Sequence, residues 1–226
     1  MEIMREKYDV IHLTDGADLH KAIDLVNSGK ANGINFNFIR NFLPSIENLY
    51  KCPSIKHLQI NHECDFSIIN NLEGLESLSL LVKPKEAIDF NKLKNLKKVG
   101  IYWHNRYKSI FECENLEHLF LGKYKANDLV ALKNLRNLTY LRLNTGTVCS
   151  LNGIESLSKL RQLYLMLATK LVSLEGVGKL SHLELLHIDT CKNISEYQGV
   201  FELPLSTKIV IGGNSNINLA LRGVST

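Results

Sequence analysis

The stretch LRNLTYLRLNTG, residues 135–146, carries leucines at Leu135, Leu138, Leu141 and Leu143. The steps between these leucines are three, three and two residues. An amphipathic helix requires steps of three and four, whereas a half-buried strand requires steps of two throughout. The pattern therefore predicts a tightly wound arc, with about three residues per turn, that leads directly into a short strand.

The same pattern recurs along most of the chain. With Leu141 as the reference position, called the anchor, equivalent positions follow one another at intervals of 20 to 23 residues. The anchors are Leu58, Leu78, Val99, Leu119, Leu141, Leu163, Leu186 and Ile209. Such regular self-similarity predicts a repeat protein, in which one unit cannot close a core alone and neighbouring units stack on each other.

Five columns of apolar residues define each repeat. They lie nine, six and three residues before the anchor, at the anchor, and two residues after it, and Ser206 is the only polar residue among these positions. The last two columns predict a strand that buries alternate side chains, and the earlier ones predict an arc that buries one residue per turn. Stacking turns the columns into continuous ladders, to which each buried aliphatic side chain contributes roughly 1.5–3 kcal/mol.

These residues resemble the leucine-rich repeat family, whose repeat reads LxxLxLxxN followed by a variable arc. The repeat length is most similar to that of the short repeats of internalins and of protein-phosphatase regulatory subunits. The resemblance covers about residues 46–214. It implies an α/β fold, namely a leucine-rich repeat solenoid of about eight repeats with a parallel β-sheet on one concave face.

The asparagine of the family pattern is mostly missing from this chain. Five residues after the anchor, Asn214 alone matches the pattern, and Cys191 is an acceptable substitute. The remaining positions are Glu63, Lys83, His104, Tyr124, Gly146 and Ala168. Because the asparagine ladder of the family ties off backbone groups, we expect irregular turns after the strands.

Both ends are predicted to be caps, because an uncapped repeat would expose the apolar ladders. Residues 1–45 predict a strand–helix–strand cap continuous with the solenoid, with Asp15 as the helix N-cap and Gly29 as the stop. Phe36, 22 residues before Leu58, is assigned to a degenerate first repeat strand. Residues 46–214 are assigned to the repeats and residues 215–226 to a C-terminal cap or tail. There Ile217, Leu219 and Leu221 are expected to fold over the last repeat.

The composition predicts an ordinary globular chain, with 45% hydrophobic and 22% charged residues among 226. The net charge of +4 is too small to indicate a nucleic-acid partner, and the lysines of residues 83–98 are interleaved with Glu86 and Asp89, as is usual on a solvated face. Neither a membrane span nor a signal peptide is recognisable. Five scattered cysteines without a CxxC pair indicate reduced thiols in a cytoplasmic protein. Abundant Asn, Lys and Ile favour a bacterial one.

The strand face is the predicted site of function. Residues one before, one after and three after each anchor should point away from the core. Nine of them are predicted to bind a partner, because exposed aromatic, arginine and methionine side chains are enriched in binding hot spots. They are Tyr102, His118, Phe120, Tyr140, Arg142, Tyr164, Met166, His187 and Asp189. The alternative is that the long aromatic side chains only cover one another.

Other kinds of chemistry have weaker support in the sequence. His187 and Asp189 share a face, but no serine, cysteine or lysine stands beside them in the outward rows as a nucleophile. His62 and Cys64 provide only half of a metal site. Trp103 is either an anchor at the rim of the binding face or a side chain that packs over a turn. We therefore expect no catalysis, no cofactor and no metal.

The sequence thus predicts a non-enzymatic, monomeric scaffold that binds another protein through its strand face. An inhibitor or immunity-type protein that blocks an enzyme or toxin is the first hypothesis, by analogy with the ribonuclease inhibitor. The alternative is a regulatory or targeting subunit, or an effector, that positions an enzyme on its substrate. Nucleic acids and membranes are not expected as partners.

Overall fold

The structure is a computed structural model that describes residues 9–37, 39, 45–213 and 217. The chain divides into two compact units, Met1–Cys113 and Glu114–Thr226. In each unit, short strands alternate with 3₁₀ arcs along the chain, as the step pattern predicts. Within each unit, every strand pairs in parallel with its neighbour in the sequence.

The first unit holds the predicted cap and three repeat strands. It begins with β1 (Val10–His12), helix α1 (Leu19–Asn27) and β2 (Gly33–Asn35). The strands β3 (His57–Ile60), β4 (Ser77–Leu80) and β5 (Lys98–Tyr102) follow. The described 3₁₀ helices of this unit are Gly16–Asp18, Ile46–Lys51, Ser67–Asn71, Phe90–Lys92 and Asn105–Glu112.

The second unit consists of five repeat strands and the arcs between them. The strands are β6 (His118–Tyr124), β7 (Tyr140–Gly146), β8 (Gln162–Met166), β9 (Leu185–Asp189) and β10 (Lys208–Gly212). The 3₁₀ helices are Val130–Leu132, Ile154–Ser156, Val177–Lys179 and Gln198–Glu202. The strands β3 to β10 each carry one anchor, so the predicted number of repeats is confirmed.

The predicted apolar columns form the core of each unit. In the second unit, the strand register places Leu119, Leu141 and Leu163 side by side, and all three are fully buried. The column two residues later is aligned in the same way and is also buried, as Leu121 and Leu165 show. Because each side chain is covered by its equivalents on neighbouring strands, the hydrophobic gain depends on stacking.

The N-terminal cap has the predicted strand–helix–strand order, with two differences in detail. The Asp15 side chain accepts a hydrogen bond from the Ala17 amide and so caps the 3₁₀ turn before α1 rather than α1 itself. The predicted degenerate first strand is β2, which pairs in parallel with β3, but Ile34 rather than Phe36 lies opposite Leu58. Gly29, at φ 73°, follows the helix in the left-handed conformation expected of a stop.

The last repeat is less well covered than the others. Ile209 and Ile211 on β10 occupy ladder positions but are only half-buried, and Ser206 is exposed. Ile217 is fully buried, as expected of a residue that folds back onto the protein. Leu219, Leu221 and Asn214 lie outside the described residues, so the assignment of residues 215–226 as a cap stays a prediction.

The turns after the strands of the second unit are regular, so the expectation of irregular turns is wrong there. The residue four positions after the anchor has a positive φ in every repeat of this unit. These residues are Lys123 (56°), Thr145 (60°), Leu167 (55°), Thr190 (56°) and Gly213 (61°). Residues other than glycine adopt this backbone conformation at a cost of roughly 1–2 kcal/mol. The same strained step is therefore built into each turn.

Other side chains take over the role of the missing asparagines. The Cys191 thiol lies 3.4 Å from both the Leu165 and the Asp189 carbonyl oxygens. The Cys149 thiol lies 3.3 Å from the carbonyl oxygen of Asn127. All five cysteines are free. These thiols act as weak donors to backbone oxygens within the stack, as the sequence predicts for Cys191.

His57 on β3 is predicted to point outward but is buried, with 3% of its surface exposed. Its Nδ1 lies 3.0 Å from the Ser77 hydroxyl on β4. On its other side stands Gly33, where a Cβ atom would lie only 2.7 Å from the His57 Cβ. Burial, followed by the nearby His12 and Lys98 charges, lowers the pKa of His57 to about 4. The folded protein therefore holds this ring neutral.

The first prediction concerns the pH dependence of stability. The unfolded chain protonates His57 near pH 6.5, whereas the folded chain does so only near pH 4. The stability that the folded protein gains from a neutral His57 is fully present above about pH 7. It declines as the pH falls from there towards pH 4, so the free energy of unfolding is about 2 kcal/mol lower at pH 5. In denaturant unfolding, the free energy of unfolding of the His57→Gln variant should therefore fall by about 2 kcal/mol less than that of the wild type between pH 7.5 and pH 5. An equal slope in the wild type and in His57→Gln would contradict the assignment.

The second prediction concerns the left-handed turn residue Leu167, whose side chain is 45% exposed. At ordinary backbone angles, alanine is more stable than glycine by about 0.5–1 kcal/mol. At Leu167 we expect the order to reverse, with Leu167→Gly about 1 kcal/mol more stable than Leu167→Ala in denaturant unfolding. Leu205, which is fully exposed and lacks a positive φ, is the matched control and should show the ordinary order.

Candidate functional site

The outward positions of the second unit form three rows across adjacent strands, as the repeat predicts. Phe120, Arg142, Tyr164 and His187 pair in register from β6 to β9 and form the central row. His118 and Tyr140 lie side by side in the adjacent row, two residues earlier on their strands. Asn144, Met166 and Asp189 lie in the row on the other side. The predicted juxtaposition of eight of the nine residues therefore holds within this unit, and we call them, together with Asn144, the strand face.

Four rings on the strand face make a continuous series, called the ring series: His118, Tyr140, Tyr164 and His187. The His118 and Tyr140 rings stack with centroids 5.6 Å apart and planes 21° apart. Tyr140 and Tyr164 follow at 5.2 Å, and Tyr164 and His187 at 5.4 Å, both tilted. The series therefore begins with His118 and Tyr140 in the one row and continues with Tyr164 and His187 in the central row. Contacts at these separations favour a fixed arrangement of the rings before any partner arrives.

Tyr140 is the enclosed member of the ring series. Only 6% of its surface is exposed, because the His118 and Tyr164 rings cover its two sides. Burial raises the pKa of the Tyr140 hydroxyl to about 12, although the neighbouring Arg142 opposes this shift. The hydroxyl therefore stays protonated. Tyr140 thus fits the alternative that the aromatic side chains cover one another. Phe120, Tyr164 and His187, in contrast, keep part of their surface exposed.

Arg142 combines a charge with aromatic contacts. Its guanidinium carbon lies 5.6 Å from the centroid of the Phe120 ring, within the range of a cation–π interaction. Its Nε atom is buried and finds no hydrogen-bond partner among the described residues, and neither does Oδ1 of Asn144, two residues further along the strand. Arg142 also forms no ion pair with any residue that the structure describes.

The acid–base pair considered from the sequence is not arranged as a catalytic dyad. Asp189 Oδ1 accepts a hydrogen bond of 2.7 Å from the Thr190 hydroxyl, and the His187 ring packs against Tyr164. Across the described part of the chain, no group of three metal-ligating side chains comes together. Within the same part, no helix is long and apolar enough to cross a membrane.

Two further predicted residues belong to the first unit. Tyr102 ends strand β5 and is half-buried. Trp103 follows it and stacks on Phe111, with ring centroids 5.0 Å apart and planes 23° apart. Trp103 thus packs on a residue near the end of the arc Asn105–Glu112, which agrees with the prediction that it packs over a turn. Three other outward positions of this unit, His57, Ser77 and Ser79, are buried rather than accessible.

A depression on the arcs of the second unit was not foreseen from the sequence. It has a volume of about 800 Å³ and is lined by residues of three consecutive arcs. Its acidic lining residues are Glu155, Glu175, Glu196 and Glu202, and Lys179 lies among them. Parallel backbone bridges join Ser150 to Ser173 and Ser173 to Glu196 beside it. The glutamates occupy different positions of their repeats, eight residues before Leu163, eleven before Leu186, and thirteen and seven before Ile209, so the repeat pattern gives no signal for this feature.

Comparisons with known proteins place the chain by its fold. No protein-family model matches it, and neither does any curated protein. An internalin (inlF) of Listeria monocytogenes is similar with a TM-score of 0.56 and 20% identity, over 83% of this chain and 63% of that one. Internalin C2 of the same organism gives 0.58 and 18%, over 76% and 77%.

A leucine-rich repeat protein of Leptospira interrogans gives a TM-score of 0.50 and 19% identity, over 74% of this chain and 45% of that one. The chain spans about 63% of the length of the inlF structure and less than half of the Leptospira structure. Sequence identities at this level establish architecture rather than activity. The chain has the leucine-rich repeat fold, in agreement with the resemblance of its repeats.

Proposed function

We propose that this chain is a non-enzymatic scaffold that binds a partner protein through the strand face of its second unit. The observation that carries the proposal is the contiguous series of aromatic, arginine and methionine side chains in register from β6 to β9. These residue types dominate the energetics of protein interfaces. The fold supports an interaction role in general terms, because stacked repeats present extended binding surfaces.

Rigidity of the strand face adds to this support. The rings hold one another at fixed separations of 5.2 to 5.6 Å, and the strands beneath them are anchored by buried ladders. A surface that is already ordered loses little side-chain entropy when it meets a partner. Tyr140, although enclosed, contributes by fixing the ring of Tyr164 beside it.

Within this class, we favour an inhibitor or immunity-type protein that covers an enzyme or toxin, acting as a monomer in the bacterial cytoplasm. The five free cysteines suit a reducing compartment. The second candidate is a targeting subunit that positions an enzyme on its substrate. The acidic depression on the arcs favours this second candidate, because it offers a surface separate from the strand face.

The third prediction tests the strand face directly. We expect the variant Phe120→Ala, Tyr164→Ala, Met166→Ala to bind its partner at least tenfold more weakly than the wild type, since truncation of a single hot-spot residue costs more than about 1 kcal/mol. The matched control replaces three exposed apolar residues of the arcs, Val130→Ala, Val172→Ala and Phe201→Ala. Affinity capture from a lysate of the source cells, followed by titration with the captured protein, measures the difference.

Equal binding by the strand-face variant and the control would contradict the proposal, provided that both unfold at the wild-type denaturant concentration. The activity of the captured partner then separates the two candidates. An inhibitor lowers the partner's activity in proportion to occupancy. A targeting subunit leaves that activity intact and increases it only towards a substrate that also binds the repeat protein.

A further inference from the structure

We propose that the partner is recognised through a carboxylate that pairs with Arg142, so that the strand face binds an acidic segment of the partner protein. This inference rests on the function proposed above and names the chemistry of the partner. It follows from the surroundings of Arg142, from the charges on the strand face, and from the shape of the ring series.

Arg142 carries a charge for which the described residues supply no counter-ion. Its Nε is buried without a hydrogen-bond partner, although an N–H at this position is a strong donor. The side chain as a whole is half-exposed and hydrogen-bonds to Tyr140, but it has no counter-ion among the described residues. A partner's carboxylate that accepts from the terminal nitrogens of the guanidinium would supply one, whereas the buried Nε lies out of its reach. Arg161 differs from Arg142, because its Nε donates a hydrogen bond of 2.9 Å to the carboxylate of Glu184, which is also its counter-ion.

The strand face carries one positive and one negative side chain. Across the outward rows of β6 to β9, Arg142 is the one arginine or lysine and Asp189 the one aspartate or glutamate, and Asp189 already accepts a hydrogen bond from Thr190. Tyr164 and the two histidines add groups that can donate hydrogen bonds. The glutamates of the second unit's depression lie instead on the arcs. An acidic segment therefore finds donors on the strand face.

The ring series favours a protein over a nucleic acid. Nucleic-acid bases stack on open ring faces, whereas Tyr140 is covered by rings on both sides, and Phe120 is occupied by Arg142. A phosphate backbone also requires several cations along its path, and the outward rows of β6 to β9 offer a single arginine. A carboxylate flanked by apolar side chains fits Arg142, Phe120 and Met166 better.

The fourth prediction uses random dodecapeptides displayed on phage as the probe. Peptides selected on the wild-type chain should contain at least twice the proportion of Asp and Glu found in the unselected library. Selection on Arg142→Gln should lose this excess. Selection on Arg136→Gln, which removes an exposed arginine outside the outward rows, should keep it. The selected peptide is then resynthesised with Asn and Gln in place of its acids, which should weaken binding at least tenfold.

A spectroscopic measurement locates the contact independently of affinity. In titrations of the labelled wild-type protein, the acidic peptide should shift the Nε–H signal of Arg142 and leave that of Arg161 in place. The amide version of the peptide should shift neither signal. An unmoved Arg142 signal under saturating acidic peptide would overturn the inference.

The outcomes separate this inference from the proposed function. If the selected peptides depend on Phe120, Tyr164 and Met166 but show no acidic excess, the strand face binds proteins and the carboxylate assignment is wrong. If selection is indifferent to those three residues, both proposals fail. Tighter, Arg142-dependent binding of polyuridylate than of any selected peptide would overturn the inference in favour of a nucleic acid.

Discussion

The structure depends on one interaction, the burial of each ladder side chain against its equivalents on neighbouring strands. Leu119, Leu141 and Leu163 are fully buried because the register places them side by side. No repeat could achieve this alone, since ordering some twenty residues offsets most of the hydrophobic gain of a single unit. The half-buried Ile209 and Ile211 of the last strand show the consequence where the series of strands ends.

Parallel strands held in this way fix everything on their outer side. The register that aligns the ladders also aligns Phe120, Arg142 and Tyr164, because alternate residues of a strand point to opposite faces. The ring series and the cation–π contact of Arg142 are consequences of this alignment. A small set of side chains from separate repeats thereby acts as one preorganised surface.

The turns show how the fold tolerates the loss of a family feature. Where asparagines would bond the backbone, the second unit uses the Cys191 thiol and a left-handed residue after each strand. In the first unit, the buried Tyr107 donates its hydroxyl to the Val82 carbonyl oxygen at 3.1 Å. Different side chains can thus satisfy backbone carbonyl groups near the turns, because the requirement is for a donor in reach and not for one residue type.

The sequence by itself determined the repeat, the strand positions and which residues share a row, because a fixed period of buried aliphatic residues permits only one alignment of the stack. It also identified eight of the strand-face residues. Only the tertiary structure decided how those side chains meet. The enclosure of Tyr140, the burial of His57 and the unpaired Nε of Arg142 arise from contacts between strands about twenty residues apart. Periodicity predicts the direction of a side chain but not the size and position of its neighbours, and these set exposure, pKa and hydrogen bonding.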